Sequence, residues 1–167
     1  MQKKPEMPAL NTAPTPVKDP IAALAGRNGR GVLAVIISPE GPSYRPVGAV
    51  MAFLDGGGRV GTLSSGCIEG DLEIHAQAAL DGDKPFSVIY GRGSPFIDIQ
   101  LPCGGGLKIL LLPDPPAEVL AKIVRARGVR AAITLVIDAK TGALELQDTG
   151  ETGPADGLFL IRFSPRA

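Results

Sequence analysis

The residues best suited to chemistry in this sequence lie in the run SSGCIEGD, residues 64–71. The apolar run before it, 59–63, predicts a short strand, and the apolar spacing over 68–80 predicts a helix. We therefore expect Cys67 on a turn of small residues just before a helix begins. Unpaired N–H groups and the helix dipole favour an anion or a reactive, ligand-holding thiolate at such a place. On local grounds alone, a buried cysteine that only packs is the alternative.

Two other side chains near this turn are candidates for chemistry. Glu69 follows Cys67 by two residues, where a carboxylate caps a helix or acts as a general base, and capping is the commoner role. His75 is the only histidine. The helical spacing places it at the rim of the buried face, which favours a surface role over catalysis.

Two further glycine-rich stretches, 39–46 (PEGPSYRP) and 102–106 (PCGGG), are predicted to be loops at strand ends, where small molecules usually bind. Arg45 suits a bidentate grip on a phosphate or carboxylate, unless it is simply a solvated loop residue. If Cys103 faces Cys67, it is a second soft ligand or a resolving thiol; otherwise it is a turn residue. The pattern lacks the further cysteines and histidines of a structural zinc site.

The order of helices and strands predicts an α+β fold, with a mixed β-sheet and helices packed on it. The run 31–38 is continuously apolar and should be a strand buried on both faces. Residues 1–18 contain four prolines and predict a disordered tail, whereas 19–167 predict a single domain. The predicted strands are 31–38, 47–54, 59–63, 86–90, 96–101, 107–112, 131–137, 143–146 and 158–163, and the predicted helices are 20–28, 68–80 and 116–126. Strands 47–54 and 59–63 should form a hairpin, 96–101 and 107–112 should pair across the cysteine turn, and 149–156 should be a loop.

Composition narrows the function classes. The 17 acidic and 17 basic residues balance, which gives no support for nucleic-acid or membrane binding. The sequence has no apolar run long enough to span a membrane, no apolar segment behind Lys3 and Lys4 to make a secretory signal, and only two, distant cysteines. A cytoplasmic setting is expected. Neither a Walker loop nor a dinucleotide fingerprint is present, so NAD is not expected.

Three motifs in order resemble the XdhC/CoxI family, the accessory proteins of molybdenum hydroxylases such as xanthine dehydrogenase and carbon monoxide dehydrogenase. The motifs are GPSYRPVGAVM (41–51), VGTLSSGCIEGD (60–71) and CGG (103–105), and the resemblance covers roughly residues 20–112. Tyr44 stands where the family usually has proline, and Ser65 where it usually has glycine. Family members commonly continue into a Rossmann-type domain, and this sequence stops about where that domain would begin. We therefore expect a truncated or isolated N-terminal domain, or else a short family member.

The resemblance implies a maturation factor that binds molybdenum cofactor (molybdopterin), protects it during sulfuration by a cysteine desulfurase, and hands it to an apo-hydroxylase. Cys67 would be the ligand of molybdenum or its sulfur, with Arg45 and Cys103 as neighbours. The implied cofactor-binding set is Ser43, Arg45, Ser65, Gly66, Cys67, Glu69, Cys103, Gly104 and Gly105. A homodimer is left open. Two alternatives also stay open: a thiol-dependent sulfurtransferase or redox enzyme using Cys67 and Cys103, and a dimerisation or docking module without ligand chemistry.

Overall fold

The computed structural model describes residues 19–41, 43, 45–91, 101 and 104–165. The described part contains three helices and nine strands. The helices are α1 (Pro20–Ala25), α2 (Glu69–Gly82) and α3 (Ala117–Gly128). The strands are β1 (Gly31–Glu40), β2 (Val50–Leu54), β3 (Gly58–Val60), β4 (Phe86–Gly91), β5 (Gly106–Pro113), β6 (Ile133–Ile137), β7 (Leu144–Gln147), β8 (Gly153–Ala155) and β9 (Leu158–Phe163). None of the described helices is long and apolar enough to cross a membrane.

The strands form two sheets. The first sheet has the order β3-β2-β1-β5-β4, and the second has the order β7-β6-β9-β8. Every pairing among the described strands is antiparallel. The predicted α+β class is confirmed. The strands form two antiparallel sheets, whereas the sequence predicted a single mixed sheet. The predicted hairpin between β2 and β3 is also confirmed.

Strand β1 lies at the centre of the first sheet and is buried on both faces, as predicted. Its side chains alternate between two hydrophobic cores, as the two-residue period of a strand requires. Val32 and Ile36 belong to the core under α2, whereas Leu33 and Val35 belong to a core shared with α1, α3 and the second sheet. The first sheet is therefore covered on both faces.

Helix α2 packs on the first sheet through one apolar face. Ile68, Leu72, Ala76 and Ala79, the predicted buried positions, are all at most 2% exposed. The helix ends where Asp83 adopts a left-handed conformation, with φ +49°. The packing of α2 on the sheet fixes the position of its first turn. It therefore also fixes the position of Cys67, which lies just before the helix.

The structure corrects some boundaries. The predicted strand 47–54 begins only at Val50, because Gly48 turns the chain at φ +85°. The predicted loop 149–156 contains β8, which pairs with β9 around a turn at Asp156 and Gly157, both with positive φ. An Asp-Gly pair is a strong hairpin signal, so the sequence could have revealed this strand. The predicted tail 1–18 and nearly all of the predicted strand 96–101 lie outside the described residues.

Candidate functional site at one end of the first sheet

Glycine-rich segments converge at one end of the first sheet. Gly106 pairs with Glu40 on one side and with Gly91 on the other, so β1 and β4 end where β5 begins. The segment 41–48, hereafter the Arg45 loop, therefore leaves β1 beside Gly105 and Gly106, where β5 begins. A methyl group on Gly41 would lie 3.7 Å from the Cα of Gly105, so the two segments are in contact.

Helix α2 starts at this same end. The hydroxyl of Tyr90, near the end of β4, donates to Asp71 Oδ2 in the first turn of α2 at 2.6 Å. The last turn of α2 lies at the opposite end, because Asp83 accepts a 3.2 Å hydrogen bond from Arg30, which directly precedes β1. The turn that carries Cys67 is thus brought to the end of the sheet where the other two segments leave it.

Cys67 lies at the exposed tip of a turn, residues 62–68, which we call the Cys67 turn. Ser65 and Gly66 reverse the chain there with positive φ angles of 60° and 104°. Cys67 is exposed and its thiol is free, which rules out a buried packing cysteine. A methyl group on Gly66 would meet nothing within 4 Å, so the surface beside the thiol is open.

The carboxylate of Glu69 organises this turn from inside. Its Oε1 accepts from the hydroxyl of Thr62 at 2.6 Å and from the N–H groups of Leu63 and Ser64 at 2.9 Å. Its Oε2 accepts from the hydroxyl of Ser64 at 2.7 Å and from the N–H of Ile68 at 3.3 Å. Glu69 is only 5% exposed. The carboxylate therefore holds both ends of the turn together.

These hydrogen bonds also lower the pKa of Glu69. Burial acts to raise that pKa, but hydrogen bonds from the side chains of Thr62 and Ser64 and from the N–H groups of Ser64 and Leu63 outweigh it and lower the pKa to about 2. The group is consequently an anion at neutral pH. A permanently charged carboxylate that accepts five hydrogen bonds is poorly suited to be a general base.

The backbone of the Cys67 turn differs from the predicted anion site. Glu69 accepts from three N–H groups of the turn. Two more N–H groups bond to side chains of the turn: the N–H of Ser65 donates to Thr62 Oγ1 at 2.9 Å, and the N–H of Cys67 donates to Ser64 Oγ at 3.1 Å. Five N–H groups of the turn thus already have acceptors within the chain. The expectation of unpaired donors is wrong for these five, since nearby side chains of the same segment satisfy them.

A second polar cluster lies just beyond the turn. Asp71 Oδ2 accepts from Tyr90 and lies 3.3 Å from His75 Nε2. The His75 ring also packs against Phe86, with ring centroids 5.6 Å apart. The side chain of His75 is 31% exposed, which places it at the rim of the helix face, as predicted. Burial, followed by the hydrogen bond to Asp71, raises the pKa of Tyr90.

The Arg45 loop is closed at its base and exposes the side chain of Arg45. The N–H of Gly48 donates to Ile36 O at 2.7 Å, which closes the base. Ser43 donates its hydroxyl to the carbonyl of Arg45 at 2.8 Å, so this hydroxyl shapes the loop. The side chain of Arg45 is exposed. Its guanidinium is therefore accessible to an anion in solvent.

Two glycines that directly precede β5, Gly104 and Gly105, lie at the same end of the sheet. Gly104 is exposed, and a methyl group there would meet nothing within 4 Å. Gly105 is buried beside Gly91. Cys103 lies outside the described residues. Among the described residues, no group of three or more His, Cys, Asp and Glu side chains is arranged to hold a metal ion.

The structure places an accessible thiol and an accessible guanidinium at the same end of a sheet, where Gly66 and Gly104 also leave open backbone. A thiolate binds soft metals and sulfur, and a guanidinium binds phosphate or carboxylate. Sequence reasoning missed Thr62 and Ser64 as partners of Glu69 and Tyr90 as a partner of Asp71. Two hydroxyl residues just before a glutamate that starts a helix were the available signal for the first pair.

Comparisons with known proteins match segments that carry part of this site. Residues 24–91, which include β1, the Arg45 loop and the Cys67 turn, match the model of the XdhC and CoxI family. The chain is 31% identical over 140 residues to the molybdenum cofactor insertion chaperone PaoD of Escherichia coli K12. It is also 46% identical over 50 residues to a Bacillus subtilis 168 protein described as a probable component of xanthine dehydrogenase.

Among solved structures, the chain resembles a Bacillus halodurans protein described as a xanthine dehydrogenase, with a TM-score of 0.69 and 26% identity over 87% of this chain. The matches cover 83% of this chain but 44% of PaoD, 30% of this chain but 15% of the Bacillus subtilis protein, and 52% of the Bacillus halodurans chain. This chain therefore spans about half or less of each relative. Over residues 24–91 it is similar to the XdhC and CoxI family.

Proposed function

We propose that this protein binds molybdenum cofactor as cargo and assists its insertion into a molybdenum hydroxylase. The observation that carries the proposal is the exposed thiol of Cys67, held on a fixed turn at the sheet end where the Arg45 loop also lies. Similarity to PaoD, a molybdenum cofactor insertion chaperone, supports it. The protein would act as a carrier rather than as an enzyme.

Each part of the cargo has a matching group in the site. Cys67 would supply the soft ligand for molybdenum or for a sulfur bound to it. Arg45 would bind the phosphate of the molybdopterin. Gly66 and Gly104, which are open, would let the flat pterin approach the backbone, with Ser65 and Gly105 beside it. Cys103 would complete the contacts to the cargo, whereas Ser43 and Glu69, also in the implied set, would act indirectly by shaping their loops.

The proposal extends to partners. Cargo would be protected during sulfuration by a cysteine desulfurase and then passed to an apo-hydroxylase of the xanthine dehydrogenase or carbon monoxide dehydrogenase type. This exchange would take place in the cytoplasm. A homodimer is compatible with this role.

The test is a titration of the purified chain with molybdenum cofactor, followed by absorbance. We expect Cys67→Ala to weaken binding by at least about tenfold, the scale of a lost metal ligand or its support. The matched control is Ser87→Ala, an exposed position on β4. If Cys67→Ala binds like the wild type, the assignment of Cys67 is wrong.

The exposure of Cys67 also favours a second candidate, a thiol-dependent sulfurtransferase. In such a protein the Cys67 thiolate would take the outer sulfur of a donor persulfide, so that Cys67 carries the persulfide and the donor leaves as a thiolate. Mass spectrometry of the Cys67 peptide distinguishes the two roles. A persulfide that moves to an acceptor would support the enzyme, and an unmodified thiol after sulfur loading would leave only the carrier.

A further inference from the structure

The carboxylate of Glu69 is a buried charge, and within the part of the chain that the structure describes none of its hydrogen-bond partners is a cation. All five partners are hydroxyl or N–H donors from Thr62, Leu63, Ser64 and Ile68. Such a ring of converging neutral donors is the arrangement by which loops bind phosphate or carboxylate ions. Here the chain supplies its own anion to that ring.

Helix capping accounts for only one of these contacts, the long one from the N–H of the N-cap residue Ile68 at 3.3 Å. A capping side chain accepts from N–H groups in the first turn of the helix, which for α2 are those after Glu69. The carboxylate instead accepts from residues before the helix, and the N-cap residue Ile68 makes no capping hydrogen bond with its side chain. Glu69 thus organises the Cys67 turn rather than the end of α2.

We propose that Glu69 is an internal anion that preorganises the Cys67 turn and occupies the backbone donors that an external phosphate would otherwise bind. It is a positioning residue, which acts through Cys67 and does not touch the cargo. As regards the cargo, this inference rests on the proposed function. The phosphate of the cargo is then left to Arg45, because the donors of the turn are already filled.

The backbone conformation of the Cys67 turn explains why an internal anion is needed. Ser65 holds a positive φ of 60°, which is costly for a residue with a side chain, and Gly66 offers no side chain to pack. Without Glu69 the N–H groups of Leu63 and Ser64, in buried residues, would lose their acceptor. The turn would then adopt other conformations, and the thiol would no longer have a fixed position.

The experiment replaces the internal anion by an external one. Glu69→Ala leaves space for a small carboxylate, so acetate should restore what the substitution removes. The readout is the alkylation rate of Cys67, measured by mass spectrometry of its peptide, with and without acetate, and with sodium chloride at equal ionic strength. The control is Glu73→Gln, one turn further along α2, whose carboxylate is 40% exposed and lies 3.7 Å from Arg59 Nε.

We expect Glu69→Ala to change the alkylation rate, acetate but not chloride to restore it, and Glu73→Gln to leave it unchanged. Cofactor affinity should fall roughly 10- to 100-fold in Glu69→Ala and recover with acetate. If Glu69→Ala does not fold, Glu69→Gln serves, because it keeps the shape but presents an amide to the donors. A Glu69→Gln protein with the wild-type alkylation rate and affinity would overturn the proposal.

The two readouts separate this inference from the proposed function. If the wild type binds no molybdenum cofactor, the proposed function fails, while the alkylation series still decides the role of Glu69. If the wild type binds cofactor and acetate restores neither readout in a folded Glu69→Ala protein, the carrier role stands and the internal-anion role fails.

Discussion

The hydroxyl of Tyr90 donates a 2.6 Å hydrogen bond to the carboxylate of Asp71, across 19 positions of sequence. Tyr90 is one residue from the end of β4, and Asp71 lies in the first turn of α2. The bond therefore links the strand that leads into the third glycine-rich segment to the helix that follows the Cys67 turn. This hydrogen bond therefore fixes the start of α2, and with it the Cys67 turn, relative to the end of β4.

Replacing Tyr90 by Phe removes this link and keeps the ring. Asp71 stays partly solvated, at 37% exposure, so we expect the free energy of unfolding to fall by about 1 to 2 kcal/mol. Urea denaturation measures this. Ser87→Ala, at an exposed position on the same strand, should change stability by less than about 0.5 kcal/mol. Equal stabilities for Tyr90→Phe and the wild type would show that the bond does not hold α2 to β4.

Gly91 should tolerate no side chain. Its φ is +71°, and a methyl group there would overlap the carbonyl oxygen of Gly105 and lie 3.3 Å from the Cα of Gly106. We expect Gly91→Ala to cost at least about 2 kcal/mol, because backbone strain and steric overlap add. Gly56→Ala is the matched control, since φ is +86° there but nothing lies within 4 Å. Thermal unfolding should rank Gly91→Ala below Gly56→Ala, and the reverse order would contradict the close packing.

Acid should remove the contribution of Glu69 to stability. Its pKa is about 2 in the folded protein against an ordinary value of 4.5, so the unfolded chain binds the proton more tightly. The contribution, on the order of 3 kcal/mol, is complete above about pH 4.5 and is lost as the pH falls toward 2. Urea denaturation between pH 2 and 6 should give a steeper decline for the wild type than for Glu69→Gln. Parallel curves would mean that the carboxylate is not held in this way.

Arg45 should matter for cargo and not for folding. Its side chain is exposed, so Arg45→Ala should leave the unfolding temperature unchanged. If it grips a phosphate, the same change should weaken cofactor binding by about tenfold, the equivalent of one hydrogen bond to a charged group. Arg125→Ala, on the exposed side of α3, is the control. Arg45 is not the phosphate ligand if both variants bind equally.

Local pattern predicted much of what surrounds the site. The period of α2 and the continuous apolar run of β1 were readable because each depends on neighbours within a few positions. The position of Cys67 just before a helix followed from the same reasoning. The split into two sheets could not be predicted in this way, because strand pairing joins residues that are distant in sequence, such as Val32 and Pro113.

The hydrogen bonds inside the Cys67 turn could not be predicted from local sequence pattern either. The hydrogen bonds of Glu69 depend on the chain reversal at Ser65 and Gly66, whose positive φ angles bring the carboxylate back onto Leu63 and Ser64. A capping role was the natural expectation at the start of a helix. The structure shows the same side chain turned the other way, toward the residues that precede the helix.

The alternation of β1 between the two cores has a consequence for unfolding. Val32 and Ile36 pack under α2, and Leu33 and Val35 pack toward the second sheet, so neither core can open without disturbing the same strand. The candidate site and the second sheet should therefore melt in one cooperative transition. Amide protons in the middle of β1 should exchange with solvent only through global opening. Damage to the second sheet, which packs on the face of the first sheet opposite α2, would then lower the population of protein competent to carry cargo.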